Sequence, residues 1–150
     1  QNLILALVDI PKRRTIYDFT MSEYQINKES NVPYELKLIA GDEDFVSFNV
    51  EQLLNNIPTE FSLGQNYPNP FNPITTINYS LPERSDINIS VYNVIGQEIA
   101  VLLNMQKEHG YHSTSWNGID RNGKPASSGV YFARMTTKNF SQTKKMLLLK

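Results

Sequence analysis

The chain has 150 residues, with 14 Lys or Arg against 15 Asp or Glu, a net charge of -1 and no cysteine. Disulfides, thiol nucleophiles and sulfur-ligated zinc sites are therefore excluded, and the near-neutral balance supplies no positive field to gather nucleic acid or acidic lipid. With 40% apolar and 19% charged residues, the sequence can bury a core and lacks the charge excess of disordered segments.

The first apolar run, Leu3 to Val8, is far short of the roughly 20 residues that span a bilayer. No Met or basic stretch precedes it and Asp9 follows at once, so it lacks the form of a signal peptide and a piece of a longer precursor is expected. Leu3–Val8, Thr15–Phe19, Tyr34–Ile39 and Phe45–Phe48 are predicted strands, punctuated by Pro11, Pro33 and Gly41. So few strands leave edges and apolar faces uncovered. Residues 1–50 are accordingly expected to be the C-terminal part of an upstream β-module, completed by an upstream segment or by a strand from a second copy in a homo-oligomer. Helical spacing is confined to a turn or two at Val50–Asn55, where Val50, Leu53 and Leu54 share a side. The polar run Asn55-Asn56-Ile57-Pro58-Thr59-Glu60 then breaks the alternation and places a linker at 51–60.

Beyond the linker the period is two. Ile77, Tyr79 and Leu81 alternate with polar residues in Thr76–Leu81, as do Ile87, Ile89 and Val91 in Asp86–Tyr92. Gly96-Gln97 interrupts the pattern before it resumes in Ile99, Val101 and Leu103, which predicts a hairpin. Gly110–Trp116 is a further strand with His112, Thr114 and Trp116 facing one way. The glycine-rich run Asn117–Gly129 is loop, and Val130–Thr136 and Lys144–Leu149 complete the set. About seven short strands with connections too brief for parallel crossovers predict an all-β, antiparallel β-sandwich over residues 61–150. Its expected core is Ile77, Ile87, Ile89, Val91, Trp116, Met146 and Leu148.

The segment Gln65-Asn66-Tyr67-Pro68-Asn69-Pro70-Phe71-Asn72-Pro73 has three prolines without amide donors and cannot join a central ladder. On physical grounds it is a stiff loop leading into the sandwich. Tyr67 and Phe71 are expected to pack on the core, and Asn66, Asn69 and Asn72 to make local side-chain turns.

This segment is one of several anchors that occur in order. Ile57-Pro58-Thr59-Glu60-Phe61-Ser62-Leu63 precedes it, and Val91-Tyr92-Asn93-Val94-Ile95-Gly96-Gln97-Glu98 follows. Then come Gly110-Tyr111-His112, Ser115-Trp116-Asn117-Gly118, Ser128-Gly129-Val130-Tyr131-Phe132 and Lys144-Lys145-Met146-Leu147-Leu148-Leu149-Lys150. Together they resemble the type A C-terminal sorting domain of the type IX secretion system of Bacteroidetes and related phyla. The Trp116-Asn117-Gly118 and Gly129-Val130-Tyr131 stretches are also similar to the immunoglobulin-like domain of flagellar hook-capping proteins, but the proline-asparagine segment and the basic-apolar tail favour the sorting domain. The resemblance implies an immunoglobulin-like sandwich that directs a secreted cargo across the outer membrane. Its implied partners are the type IX machinery and the apparatus that attaches cargo to cell-surface lipopolysaccharide, and its implied location is extracellular or on the outer-membrane surface. The positions that carry the motif are Asn66, Pro68, Asn69, Pro70, Gly96, Gly110, Trp116, Gly118, Gly129, Tyr131, Lys144 and Lys145.

Each sharper chemical reading has a plainer one beside it. Lys144 and Lys145 with the strand Met146–Leu149 are either a surface read by the machinery through edge-strand addition or solubilising lysines flanking a closing strand. Asp120-Arg121-Asn122-Gly123 starts like a calcium loop but lacks the closing glutamate, so a turn is expected; Asp42-Glu43-Asp44 is expected to be a solvated hairpin tip. His109 and His112 have no third nitrogen or sulfur ligand. Ser127-Ser128-Gly129 is a turn, and no nucleophile–histidine or carboxylate pair points to catalysis, so neither an enzyme nor a cofactor is expected. The sequons at Asn78, Asn88 and Asn139 are taken as chance. Two other functional classes stay open: a structural or adhesive surface subunit that assembles by strand complementation, and a carbohydrate-binding module using Trp116 with Tyr111 and Tyr131. The inward alternation that ends at Trp116 argues against the latter.

Overall fold

A computed structural model describes residues 3–10, 13–17 and 35–150, and divides the chain into two compact units, Gln1–Ile57 and Pro58–Lys150.

In the first unit, β1 (Ile4–Asp9) is the centre of an antiparallel sheet, flanked by β2 (Arg14–Ile16) and β3 (Leu36–Gly41). The expected strand at Phe45–Phe48 is instead part of helix α1 (Glu43–Asn55), which also runs into the stretch expected to be linker. The cause is a local start signal. The Asp42 carboxylate accepts from the Phe45 amide at 2.9 Å, and Glu43 and Asp44 sit in the first turn, where the helix dipole favours negative charge. The Asp42-Glu43-Asp44 cluster is thus a helix cap and not a hairpin tip. Val46 and Val50 recur at helical spacing and are buried with Ile57 against Ala6, Val8 and Ile10, whereas Phe45 and Phe48 are exposed. At the far end the Arg13 guanidinium donates to the Leu54 carbonyl in the last turn and to the Ile57 carbonyl just beyond the helix. Pro11, Phe19, Pro33 and Tyr34, named in the strand expectations, lie outside the described residues.

The second unit is an antiparallel sandwich of seven strands: β4 (Ser62–Leu63), β5 (Thr75–Leu81), β6 (Ser85–Asn93), β7 (Glu98–Lys107), β8 (Gly110–Trp116), β9 (Gly129–Thr136) and β10 (Ser141–Leu148). One sheet runs β4-β5-β8 and the other β10-β9-β6-β7. The order is that of an immunoglobulin-like fold, with the two sheets exchanging strands through short connections. All seven residues expected in the core are buried, and Phe71, Leu63, Leu81, Tyr131 and Met135 join them. Tyr131, near the start of β9, donates its hydroxyl to the Ser127 carbonyl at 2.8 Å, the corner arrangement that recurs in such sandwiches. The β6–β7 hairpin turns as predicted: Gly96 adopts φ 80, and the Asn93 side-chain oxygen accepts from the Ile95 and Gln97 amides.

The strands run between two ends. At one end lie the β6–β7 turn, the loop from Asn117 to Ser128, the proline-asparagine segment and the close of β10; at the other lie the connections β5–β6, β7–β8 and β9–β10.

Candidate functional site

The proline-asparagine segment begins on one sheet and finishes on the other. Gly64 donates to the Asn78 carbonyl at 2.7 Å, and Tyr67 and Thr76 exchange backbone bonds at 2.8 and 2.9 Å, so the segment first extends the edge of β5. It then crosses to β10. Phe71 donates to the Leu147 carbonyl at 3.0 Å and accepts from the Leu149 amide at 2.9 Å, a parallel bridge on the outer edge of the last strand.

Proline removes the donors that a regular ladder needs, and side chains replace them. Asn69 Oδ1 accepts from the Leu147 amide at 3.0 Å, and Gln65 Nε2 donates to the Lys145 carbonyl at 2.8 Å. Gln142 Oε1 in turn accepts from the Leu63 amide, tying β10 to β4. The peptides before Pro68 and Pro70 are both cis. Inside the turn, Asn66 is buried: its Nδ2 donates to the Pro68 carbonyl at 3.0 Å and to Thr75 Oγ1 at 2.9 Å, while its Oδ1 accepts from Gln65 Nε2 at 2.7 Å. Thr75 completes the ring by donating to the same Pro68 carbonyl at 2.8 Å. An edge strand, ordinarily open to pairing with another chain, is thereby closed along its C-terminal half.

Below the segment lies an aromatic cluster. Phe71 and Trp116 have ring centroids 5.6 Å apart, and Trp116 meets Tyr131 edge-on at 5.0 Å. The Trp116 indole donates to the Ile119 carbonyl at 2.9 Å. Gly118 follows with φ +70, and a Cβ there would stand 3.3 Å from the Pro73 carbonyl oxygen and 3.7 Å from Leu148 Cδ2. Glycine is needed both for its conformation and for this close approach.

Asn66, Pro68, Asn69, Pro70, Trp116, Gly118, Gly129, Tyr131 and Lys145 therefore belong to one end of the sandwich, and Gly129 is the register partner of Leu148. Gly96 shares that end on its own turn, whereas Gly110 pairs with Leu81 at the opposite end. Lys144 is half-buried on the face of β10 that carries Met146 and Leu148; Lys145 is exposed on the other face. Thr75 and Gln142 complete the site but were not singled out from sequence, and Gln65, at the head of the motif segment, was given no role there. Thr75 had a signal, since it directly precedes an alternating strand; a long-range bond such as that of Gln142 leaves none.

One sequence reading is corrected here: Tyr67 does not pack on the core but is 82% exposed. Trp116 is 1% exposed, as the inward alternation required, so it offers no ring face to a sugar.

Asp120 accepts from the Lys124 and Asn122 amides at 2.8 and 2.9 Å, which close a turn and hold its carboxyl below the usual carboxylate range. Burial pushes the Tyr131 hydroxyl up. Among the described residues no three His, Cys, Asp or Glu side chains converge on a metal position, and no helix is long and apolar enough to cross a membrane. The arrangement is one of shape and hydrogen bonding.

Comparison with known proteins agrees with this geometry. The family described as "Secretion system C-terminal sorting domain" matches residues 65–149, more than half of the chain. A structure of dimeric latent PorU from Porphyromonas gingivalis superposes with a TM-score of 0.50 at 13% identity, covering 77% of this chain and 11% of that one, a likeness of fold. PorZ, a bacterial surface component of the type-IX secretion system of Porphyromonas gingivalis, matches with a TM-score of 0.41 at 19% identity over 60% of this chain and 11% of its own. The chain thus spans about a tenth of the length of either protein. No curated protein matches. The chain belongs to the family of type IX secretion system C-terminal sorting domains, whose role is to direct export to the cell surface or outer membrane.

Proposed function

We propose that residues 58–150 are a non-catalytic signal that the type IX machinery recognises on a folded domain, and that the end formed by the proline-asparagine segment and β10 is what it recognises. Cargo activity resides upstream, residues 1–50 are the close of a module preceding the signal, and attachment to surface lipopolysaccharide follows export. The observation that supports this reading most is the closure of the β10 edge by Gln65, Asn69 and Phe71. Gln65, Asn69 and Phe71, at the start of the stretch that matches the family, fix the last strand, which thereby acquires a defined surface in place of a reactive edge.

The test is a fusion of the full chain to a periplasmic fluorescent reporter in a type IX-competent bacterium, with a secretion-deficient strain as control. Surface reporter lost only in the deficient strain is the expected result. Reporter trapped in the periplasm of both strains would overturn the sorting role and favour a structural subunit.

A further inference from the structure

The outer face of the β4-β5-β8 sheet takes no part in the closure of β10, and its composition is unusual. Cross-strand partners share a face, so the registers Ser80↔Tyr111, Asn78↔Ser113 and Thr76↔Ser115 set Tyr111, Ser113 and Ser115 beside Ser80, Asn78 and Thr76. On the other side of β5, Ser62 pairs with Ser80, Gly64 lies against Asn78 and Tyr67 bridges Thr76. These three rows hold no charged residue. Their large side chains are two tyrosines, Tyr67 at 82% and Tyr111 at 69% exposure, at diagonal corners of the patch.

Neither tyrosine is explained by packing, because each ring stands in solvent. Between them Gly64 contributes no side chain, and a concavity of about 450 Å³ is lined by Ser62, Gly64, Asn78, Tyr111 and Ser113 together with the buried Tyr79 and the half-buried His112 stacked on it. The corners are two strands and four residues apart, which places the rings about 17 Å from each other at ordinary sheet spacings.

We propose that this face binds a neutral oligosaccharide, with Tyr67 and Tyr111 stacking on two separated sugar rings and Asn78, Ser113 and Thr76 bonding to the hydroxyls between them. A flat aromatic ring suits the apolar face of a pyranose. Side-chain hydroxyls and an amide offer donors and acceptors in alternation, as a row of sugar hydroxyls requires. The lack of charge on the face removes the means of holding a phosphate, an acidic glycan or nucleic acid. A proline-rich peptide is the competing occupant of a tyrosine-bearing face, but it docks on closely spaced aromatic rings with apolar gaps. Here the rings are far apart over a polar floor.

Titration calorimetry of the intact chain with maltohexaose, cellohexaose, xylohexaose and mannohexaose tests this, alongside a polyproline decapeptide. At least one of the sugars is expected to bind. Tyr111→Ala, a change in regular strand at an exposed position, should weaken that binding about tenfold or more, while Tyr111→Phe should retain it. Tyr67→Ala should act in the same direction, with the melting temperature of each variant confirming that the sandwich is intact. Absence of binding by all four sugars up to about 10 mM overturns the proposal. So does an affinity indifferent to both alanine substitutions, or binding of the polyproline peptide alone.

Discussion

Replacing Asn66 with alanine tests whether the turn of the proline-asparagine segment is held by its polar ring. The substitution removes bonds to the Pro68 carbonyl, to Thr75 Oγ1 and from Gln65 Nε2. Two of the abandoned partners retain another bond: Thr75 still donates to the Pro68 carbonyl, and Gln65 still reaches the Lys145 carbonyl. The loss should therefore approach the net worth of the bonds, about 0.5–1.5 kcal/mol each, without the larger penalty of stranding a buried donor. The expected destabilisation is about 2–3 kcal/mol, or about 10–20 °C in melting temperature for a unit of this size. Trp116 is the single tryptophan and lies in the second unit, so its fluorescence during urea unfolding follows that unit alone. Thr75→Val and the double substitution complete a cycle, with an expected coupling of about 1 kcal/mol. An Asn66→Ala variant within about 0.5 kcal/mol of the parent would refute the reasoning, since that is the scatter of inconsequential surface changes.

Gly118→Ala should cost about 1–3 kcal/mol in urea unfolding, because a side chain at φ +70 is strained and would press on the Pro73 carbonyl oxygen; an unchanged midpoint would show that the loop yields. Asp120 has its carboxyl pKa lowered chiefly by the Lys124 amide, so its contribution to stability is present above the unfolded-state value of about 3.9 and is lost as pH falls through the lower folded-state value. Urea midpoints measured across that acid limb should fall less steeply in Asp120→Asn than in the parent, and parallel limbs would contradict the assignment. Lys145→Glu should leave stability within about 0.5 kcal/mol because the side chain is exposed on β10, while export of the fused reporter falls. Full export by this variant would assign Lys145 to keeping the strand soluble.

Much of the sandwich was legible because a sheet with one buried face writes a period of two into the chain. Ile87, Ile89 and Val91 on β6 and Met146 and Leu148 on β10 are buried as that alternation required. The turn at Gly96 was legible for a chemical reason, its positive φ. The helix was legible only in its last turns, Val50–Asn55; its start was not, because Phe45-Val46-Ser47-Phe48 satisfies a strand pattern over so short a window and the decisive signal was the Asp42 cap. The motif segment was legible as a stiff loop, but the destination of its side chains was not. Whether a tyrosine just before a proline turns inward depends on which strand the backbone follows, and at Tyr67 the bridge to Thr76 turns it out. Nor does local sequence show that Asn69 would meet the Leu147 amide, a bond across 78 positions.

That separation bears on how such a signal works. The bonds from Gln65 to Lys145 and from Asn69 to Leu147 join positions 80 and 78 residues apart, and closing so long a loop costs entropy that only the packed intervening strands can offset. The Phe71–Leu147 bridge therefore cannot persist as a local motif; it depends on Trp116, Tyr131 and β9 being in place beneath it. Removing the last strand would uncover Phe71 and leave Asn69 and Gln65 without their backbone partners, so truncation damages fold and recognition together. Substitution of exposed side chains on the intact edge separates the two. Under the proposed reading, the recognised surface is built from both the beginning and the end of the domain and exists only once the whole sandwich has formed, which would give the domain a physical means of coupling recognition to completed folding.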